Sequence, residues 1–320
     1  MHRLALCVVA CLGLVTAALA AAPKEEDVQG LYEGTCKDAK GSGKIEARVV
    51  ALGKQAYKVF VRDMLPDKTV AKTELDGKTE GEKITVAGGD WAGAYADGAI
   101  AGKIGDGGTF ELKRVVREPP SLGAKPPEGA IVLVDGKNFD EVTCAKNKDG
   151  TPQEWKIVEP GAIQVPKGGM NSKRQLDGSF KLHVEFKTPF MPDARDQGRG
   201  NSGVYLPNGE EIQVLDSFGM TSYPGGGCGG LYAYKNPDAF DKFTLASLPP
   251  LQWQTYDVEY HVKKVDGKLT GKPRVTVVHN GIKIHDNVEL RKDAKNGGFN
   301  FQDHGNPVQY RNIWVLPLKE

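Results

Sequence analysis

The sequence predicts an all-β protein: a small antiparallel β domain, then a large antiparallel sandwich of the jelly-roll kind. Three observations carry that expectation. Short runs alternating apolar and polar residues recur along the chain, the period of half-buried strands. Turn-forming residues separate them, with Gly at 40 and Pro at 19 among 320 residues. No long stretch has the three-to-four-residue spacing of an amphipathic helix.

The chain opens with Met1-His2-Arg3, an apolar run from Leu4 to Leu19, and the small residues Ala20-Ala21-Ala22 before Pro23. A basic start, a short apolar core and a small-residue cleavage pattern read as a secretory signal peptide over residues 1–22. Charged residues begin at Lys24, so the run is not a membrane span, and no second apolar stretch reaches spanning length. The expectation is an exported protein, periplasmic or extracellular, with no membrane span. The 42 basic and 41 acidic residues leave a net charge of +1, which gives no electrostatic reason for a nucleic-acid partner. Cys7 and Cys11 leave with the signal. Cys36, Cys144 and Cys228 permit at most one disulfide, and none has the CxxC spacing of a structural zinc site. An unpaired or structural role is favoured over a catalytic one for them.

Residues 23–116 read as the small antiparallel domain. Ile45, Ala47 and Val49 share one strand face, and Tyr57, Val59 and Val61 share another. Phe60 breaks the second alternation, which predicts that the outer face is partly covered there. Asp76-Gly77 and Asp97-Gly98 each open a D-G-x-x-x-G pattern and predict two similar hairpins. The unit has no histidine and no cluster of acids, so an accessory role is expected. Residues 117–129 carry Pro119, Pro120, Pro126 and Pro127, which excludes helix and central strand and predicts an extended, semi-rigid linker.

From 130 to 320 the alternating runs continue, for example Lys181–Phe186, Thr255–Val262 and Arg274–Val278. Asn280-Gly281 between two runs is a strong hairpin signal. In Glu211-Ile212-Gln213-Val214-Leu215-Asp216, alternation puts Glu211 and Gln213 on one face and Ile212 and Val214 in the core. Asp216 then falls on the core face unless the strand ends. A buried aspartate needs a bulge, a hydrogen-bonded turn with Ser217, or a metal. The polar face is either an ordinary solvated face or the floor of a site. A second polar segment, Phe301-Gln302-Asp303-His304-Gly305, sets Gln302 and His304 on one face. In the strand after it, alternation opposes Tyr310, Asn312 and Trp314 to Arg311 and Ile313. Two such patches in one sandwich could line one concave face.

The ordered set Asn201-Ser202-Gly203-Val204-Tyr205, Glu211–Asp216, Gly229-Gly230-Leu231-Tyr232, Trp253-x-x-Tyr256, Asn280-Gly281, Phe301–Gly305 and Tyr310-Arg311-Asn312-Ile313 resembles the 3-keto-disaccharide hydrolase family. So do Val134-Asp135-Gly136-Lys137-Asn138-Phe139 and Trp155-x-Ile157. The resemblance runs from about Ile131 to Leu318. It departs from the family where Tyr310 replaces Phe, and where Leu133-Val134 and Thr143-Cys144 replace aromatic residues of the entry strand.

The resemblance implies a concanavalin-like jelly roll that acts on 3-keto glycosides or disaccharides. A ketone at carbon 3 acidifies the proton on carbon 2, and its removal allows the carbon-1 aglycone to leave. Water addition then completes net hydrolysis. That chemistry calls for a base, an acid and a stabiliser of the enolate oxygen. His304 is expected as base or metal ligand, Glu211 and Asp216 as acid/base pair or metal ligands, and Arg311 as stabiliser of negative charge. Asn201, Gln213, Tyr232 and Gln302 are expected to bind sugar hydroxyls. A divalent metal ion held by Glu211, Asp216 and His304 is one way to stabilise the enolate. A non-catalytic carbohydrate-binding module, with Trp253, Tyr232 and Tyr205 stacking on sugar rings, is the competing class. An adhesion or scaffold protein is a third.

Overall fold

The computed structural model describes residues 22–38, 41–64, 70–151, 153–220, 226–238 and 246–319. The signal-peptide expectation falls, but for Ala22, on residues outside this set. After a single helical turn, α1 (Glu25–Val28), the described N-terminal strands are β1 (Gly30–Asp38), β2 (Gly41–Gly53), β3 (Ala56–Met64), β4 (Val70–Glu80), β5 (Lys83–Gly88), β6 (Trp91–Ala96), β7 (Ala99–Ile104) and β8 (Gly108–Val115). Each pairs antiparallel with the next, and β8 pairs back onto β1, closing a barrel. Closure leaves no free sheet edge. Ile45, Ala47, Val49, Tyr57, Val59 and Val61 fill the interior with Tyr32, Leu75, Phe110 and Leu112, as alternation requires.

The two D-G patterns part company in the structure. Asp97 and Gly98, at φ 47° and 79°, make the two-residue turn between β6 and β7. Asp76-Gly77 lies inside β4, where a Cβ on Gly77 would approach Tyr57 and Val86 to 3.1 Å. Gly77 is small because neighbouring side chains cross it, and the turn comes later, at Gly81 (φ 63°).

The sandwich uses β9 (Ile131–Val134), β10 (Val142–Cys144), β11 (Ile157–Glu159), β12 (Ala162–Gln164), β13 (Met170–Ser172), β14 (Phe180–Lys187), β15 (Ser202–Tyr205), β16 (Glu211–Val214), β17 (Gln254–Val265), β18 (Lys268–His279), β19 (Ile282–Glu289), β20 (Asn300–Phe301) and β21 (Gln309–Pro317). One sheet is five-stranded in the order β10-β13-β20-β15-β16. The other is eight-stranded in the order β11-β12-β21-β14-β17-β18-β19, with β9 also on β21. Asn280-Gly281 makes the β18–β19 turn, both at positive φ. Val204, Ile212, Val214 and Phe301 from the smaller sheet meet Leu182, Val184, Phe186, Tyr310 and Ile313 from the larger in one core. Near the entry strand, Phe139 stacks on Trp155 with ring centroids 4.5 Å apart, an aromatic contact in the region where the sequence lacks the expected residues.

Phe60 faces out of the barrel and is nevertheless buried. With Leu31 and Val50 it packs against Phe218 and Leu248 of the sandwich. Arg48 beside it lies 5.1 Å from the Phe218 ring and donates to the Ser247 carbonyl. The linker is not a free spacer either. It turns at residues 120–123 and lies on the outer face of the eight-stranded sheet. Ser121 Oγ donates to Asp257 (2.5 Å), Gly123 N donates to Glu185 (2.6 Å), and the Ala124 carbonyl accepts from Asn312 and Trp314.

Phe60→Ala should lower the unfolding free energy by about 3–5 kcal/mol, the usual cost of emptying a packed aromatic site. Lys58→Ala, on the same outer face with surface ion pairs, should cost about 1 kcal/mol or less. Urea unfolding of both variants checks the contrast.

Candidate active site

The hairpin of β15 and β16 sets the site. Its register pairs Tyr205 with Glu211 and Gly203 with Gln213. Because Val204, Ile212 and Val214 point into the core, Tyr205, Glu211 and Gln213 point to the opposite, outer face of the five-stranded sheet. β20 lies beside β15, and Gln302 N donates to the Gly203 carbonyl, which brings Gln302 to the same face. A Cβ on Gly203 would sit 2.3 Å from Glu211 Oε1. The glycine therefore makes the room into which the carboxylate folds.

Glu211 is buried. Burial pushes its pKa above the ordinary carboxylate value, while a hydrogen bond from Tyr205 and the nearby charge of His304 hold it down in part. Tyr205 is in turn pushed up, first by burial and then by its bond to Glu211. Gln302 Nε2 donates to Tyr205 Oη at 3.2 Å. The hydroxyl proton is thereby directed at Glu211, giving the chain Gln302 to Tyr205 to Glu211. His304 is exposed beyond the end of β20. Its loop is fixed by Asp303, which accepts from Gly168 N and Gly305 N.

A second group of side chains meets at Gln197, in the 3-10 turn Asp196–Gly198. Gln197 Oε1 accepts from Gln213 Nε2 (2.9 Å) and Asn201 Nδ2 (3.1 Å), and Gln197 Nε2 donates to the Gly226 carbonyl. Asn201 N donates to Asn306 Oδ1 at 2.8 Å. These bonds use the amide donors and leave Asn201 Oδ1, Gln213 Oε1 and Gln302 Oε1 buried with no hydrogen-bond partner among the described residues. A buried, unpaired carbonyl costs about 1–3 kcal/mol, so three such acceptors are a standing cost in this part of the sheet. Tyr232 stands at the edge and is 41% exposed. Its backbone is pinned by the Glu211 carbonyl on one side and by Arg291, itself paired with Glu210, on the other.

Six of the eight residues expected from the sequence thus lie at this face: Glu211, His304, Asn201, Gln213, Gln302 and Tyr232. Asp216 and Arg311 do not. β16 ends at Val214, and Leu215 turns into the core. Asp216 follows it into the protein, where Oδ2 accepts from Arg199 Nε at 2.7 Å and Oδ1 accepts from Phe218 N. The buried aspartate is satisfied by an arginine, not by a metal. Among the described residues, no three His, Cys, Asp or Glu side chains are arranged to hold a metal ion. The donor set Glu211, Asp216 and His304 therefore does not fit a cation, and no step is routed through one.

Arg311 lies on the other side of the sandwich. Arg311 faces outward as alternation requires, and a bulge at Asn312 (φ 43°) turns Asn312 outward beside it, in place of the simple alternation expected. Both bond Glu185, Arg311 Nε at 2.6 Å and Asn312 Nδ2 at 2.8 Å. His183 joins them, flanked by Asp257 and Glu185 and stacked on Trp314. Burial raises the Glu185 pKa, but the bonds from His183, Asn312, Arg311 and Gly123 outweigh it and bring it down to about 2. This is a closed structural network under the linker. Arg311 is occupied there, against Glu185 and over the Trp253 ring at 4.1 Å.

Gln197, Tyr205 as a proton-bearing member, and Asn306 were not among the expected site residues. Tyr205 could have been found by counting the hairpin register across Pro207-Asn208-Gly209. Gln197 and Asn306 sit in loops whose spacing carries no such signal.

A family model described as the 3-keto-alpha-glucoside-1,2-lyase-like domain matches residues 129–316. Among solved structures, the chain is similar to a putative glycosyl hydrolase from Parabacteroides distasonis ATCC 8503. The two are 30% identical, with a TM-score of 0.50, over 60% of this chain and 85% of that one. No curated protein sequence matches.

The raised pKa of Glu211 fixes the sign of a stability effect. A carboxyl whose folded pKa lies above its unfolded value stabilises the fold at low pH and loses that contribution as pH rises through the folded pKa. Glu211→Gln should therefore unfold at higher urea than the parent at pH 8. The gap should close below about pH 4, where the parent carboxyl is protonated in both states.

Proposed function

The chain belongs to the 3-keto-alpha-glucoside-1,2-lyase-like family, and from that premise we propose that it cleaves 3-keto glycosides by proton abstraction at carbon 2 and elimination of the carbon-1 aglycone. Family and structural neighbour support glycoside hydrolase- or lyase-like action on keto-sugars at the coarser level. The observation that carries the finer reading is a buried, pKa-raised Glu211 beside Tyr205 and His304, within a set of unpartnered amide carbonyls.

In this reading the sugar ring lies over the outer face of β15, β16 and β20. Tyr232 offers an aromatic edge, and the carbonyls of Asn201, Gln213 and Gln302 accept from the sugar hydroxyls once side-chain rotation brings them to the surface. Glu211 takes the carbon-2 proton. Its raised pKa makes it a stronger base than an exposed carboxylate and brings it closer to operating pH. The C–H electron pair becomes the carbon–carbon double bond of an enediolate. That pair then expels the carbon-1 oxygen, leaving an unsaturated keto sugar. His304 supplies the proton to the departing oxygen, and Tyr205 holds Glu211 in place and tunes its basicity. Addition of water across the new double bond completes net hydrolysis. Export belongs to the same proposal, on the strength of the basic start and apolar run of residues 1–22.

The mature protein should release aglycone from a 3-keto glycoside and not from the parent glycoside. Glu211→Gln should lower kcat by about 10²- to 10⁴-fold with the fold intact. Tyr205→Phe removes a bond that lowers the Glu211 pKa, so the acid limb of the kcat/KM profile should move to higher pH. Sugar binding without release from either substrate would favour the carbohydrate-binding module instead.

A further inference from the structure

We propose that the N-terminal barrel is a working part of this site, and that Arg199 is the positioning residue through which it acts. The inference rests on reading the Glu211 face as the reacting site, and it assigns the barrel a task beyond that of an accessory module.

The segment carrying Gln197 is gripped by the barrel on both sides. Behind it, Arg199 is buried. Its Nε donates to Asp216, its Nη1 to the Ala51 carbonyl at 3.3 Å, and its Nη2 to Gln29 Oε1 at 3.4 Å. Ala51 and Gln29 belong to the barrel, and Gln29 Oε1 also accepts from Ala51 N, which fixes the acceptor before Arg199 arrives. Ahead of it, Arg195 Nη2 donates to the Leu52 carbonyl. A Cβ on Gly53 would lie 2.0 Å from Asp193 Oδ1 and 3.3 Å from its Cα, so the end of β2 lies directly against this loop. Three successive barrel residues, Ala51 to Gly53, thus touch residues 193, 195 and 199.

Gln197 sits between these contacts. Its backbone path is unusual, with Asp196 at φ 47° and Gly200 at φ 60°. A Cβ on Gly200 would press on Asp216 and Thr188 at 3.1 and 3.2 Å. From that turn, the one Gln197 carboxamide orders Asn201 and Gln213 and thereby aims their free carbonyls. A buried ion pair such as Arg199–Asp216 is weak evidence for stability. It is a good device for fixing a loop, because a guanidinium donates in several set directions at once. Site residues held by such outer contacts lose rate when the contacts loosen.

The test uses the full chain and three variants: Gln29→Ala, which changes the barrel alone, Arg199→Met, and the conservative Arg199→Lys. Amide hydrogen exchange over residues 196–201 should quicken about tenfold in Gln29→Ala and more in Arg199→Met, with β14 and β17 unchanged. Turnover of a 3-keto glycoside should fall about ten- to a hundredfold in kcat, with partial rescue in Arg199→Lys. Ile84→Val, a change deep inside the barrel, should move neither reading. Unchanged exchange over 196–201 in a folded Gln29→Ala protein would overturn the proposal. A parent protein that turns over no keto glycoside would instead sink the proposed reaction, and the exchange data would still decide the role of the barrel.

Discussion

The site depends on the burial of one row of side chains. Val204, Ile212, Val214 and Phe301 must face the eight-stranded sheet, since together they fill the middle of the core. Each is worth about 1.5–3 kcal/mol when buried. Slipping the β15–β16 pairing by one residue would expose that row and drive Glu211 and Gln213 into an apolar interior. The outward face is thus not chosen for itself. It is the remainder left by the core, and chemistry has been written on the remainder.

That face is costly to maintain. A carboxylate is held below the surface, and three amide carbonyls have no partner among the described residues. The surrounding contacts show how the protein sustains it. Gly203 clears space for the carboxylate, Gln302 and Tyr205 orient a proton toward it, and Gln197 uses up the donors of its neighbours. Each polar atom that could have relaxed by turning inward is tied from behind. What remains unpaired is unpaired by construction.

Much of this was legible in the sequence. The shared face of Glu211 and Gln213 and the covered side of Phe60 follow from alternation, and the Asn280-Gly281 turn from its residue types; these are local rules. The misplacements arise where those rules stop. Arg311 follows Tyr310 as alternation requires, but β21 belongs to the eight-stranded sheet, across the core from Glu211, and the bulge at Asn312 shifts the phase of the residues after it. Asp216 lies two residues past the end of a strand, where period two no longer applies. Its partner Arg199 is visible only when the chain has folded back on itself. The same distance hides Gln197, a loop residue whose value lies entirely in what it touches. The metal site failed with Asp216, because a ligand set drawn from three loci needs all three to converge.

The linker carries a further meaning. The stretch that matches the family begins at residue 129, just after the strap formed by Ser121, Gly123 and Ala124 has crossed Glu185, Asp257, Asn312 and Trp314. The unit of descent and the unit of folding are therefore not the same length. A protein cut at residue 129 would keep every residue of the Glu211 face and lose the cover over a buried carboxylate and histidine on the far sheet. A graft of this sandwich onto a new partner has to bring its own strap along.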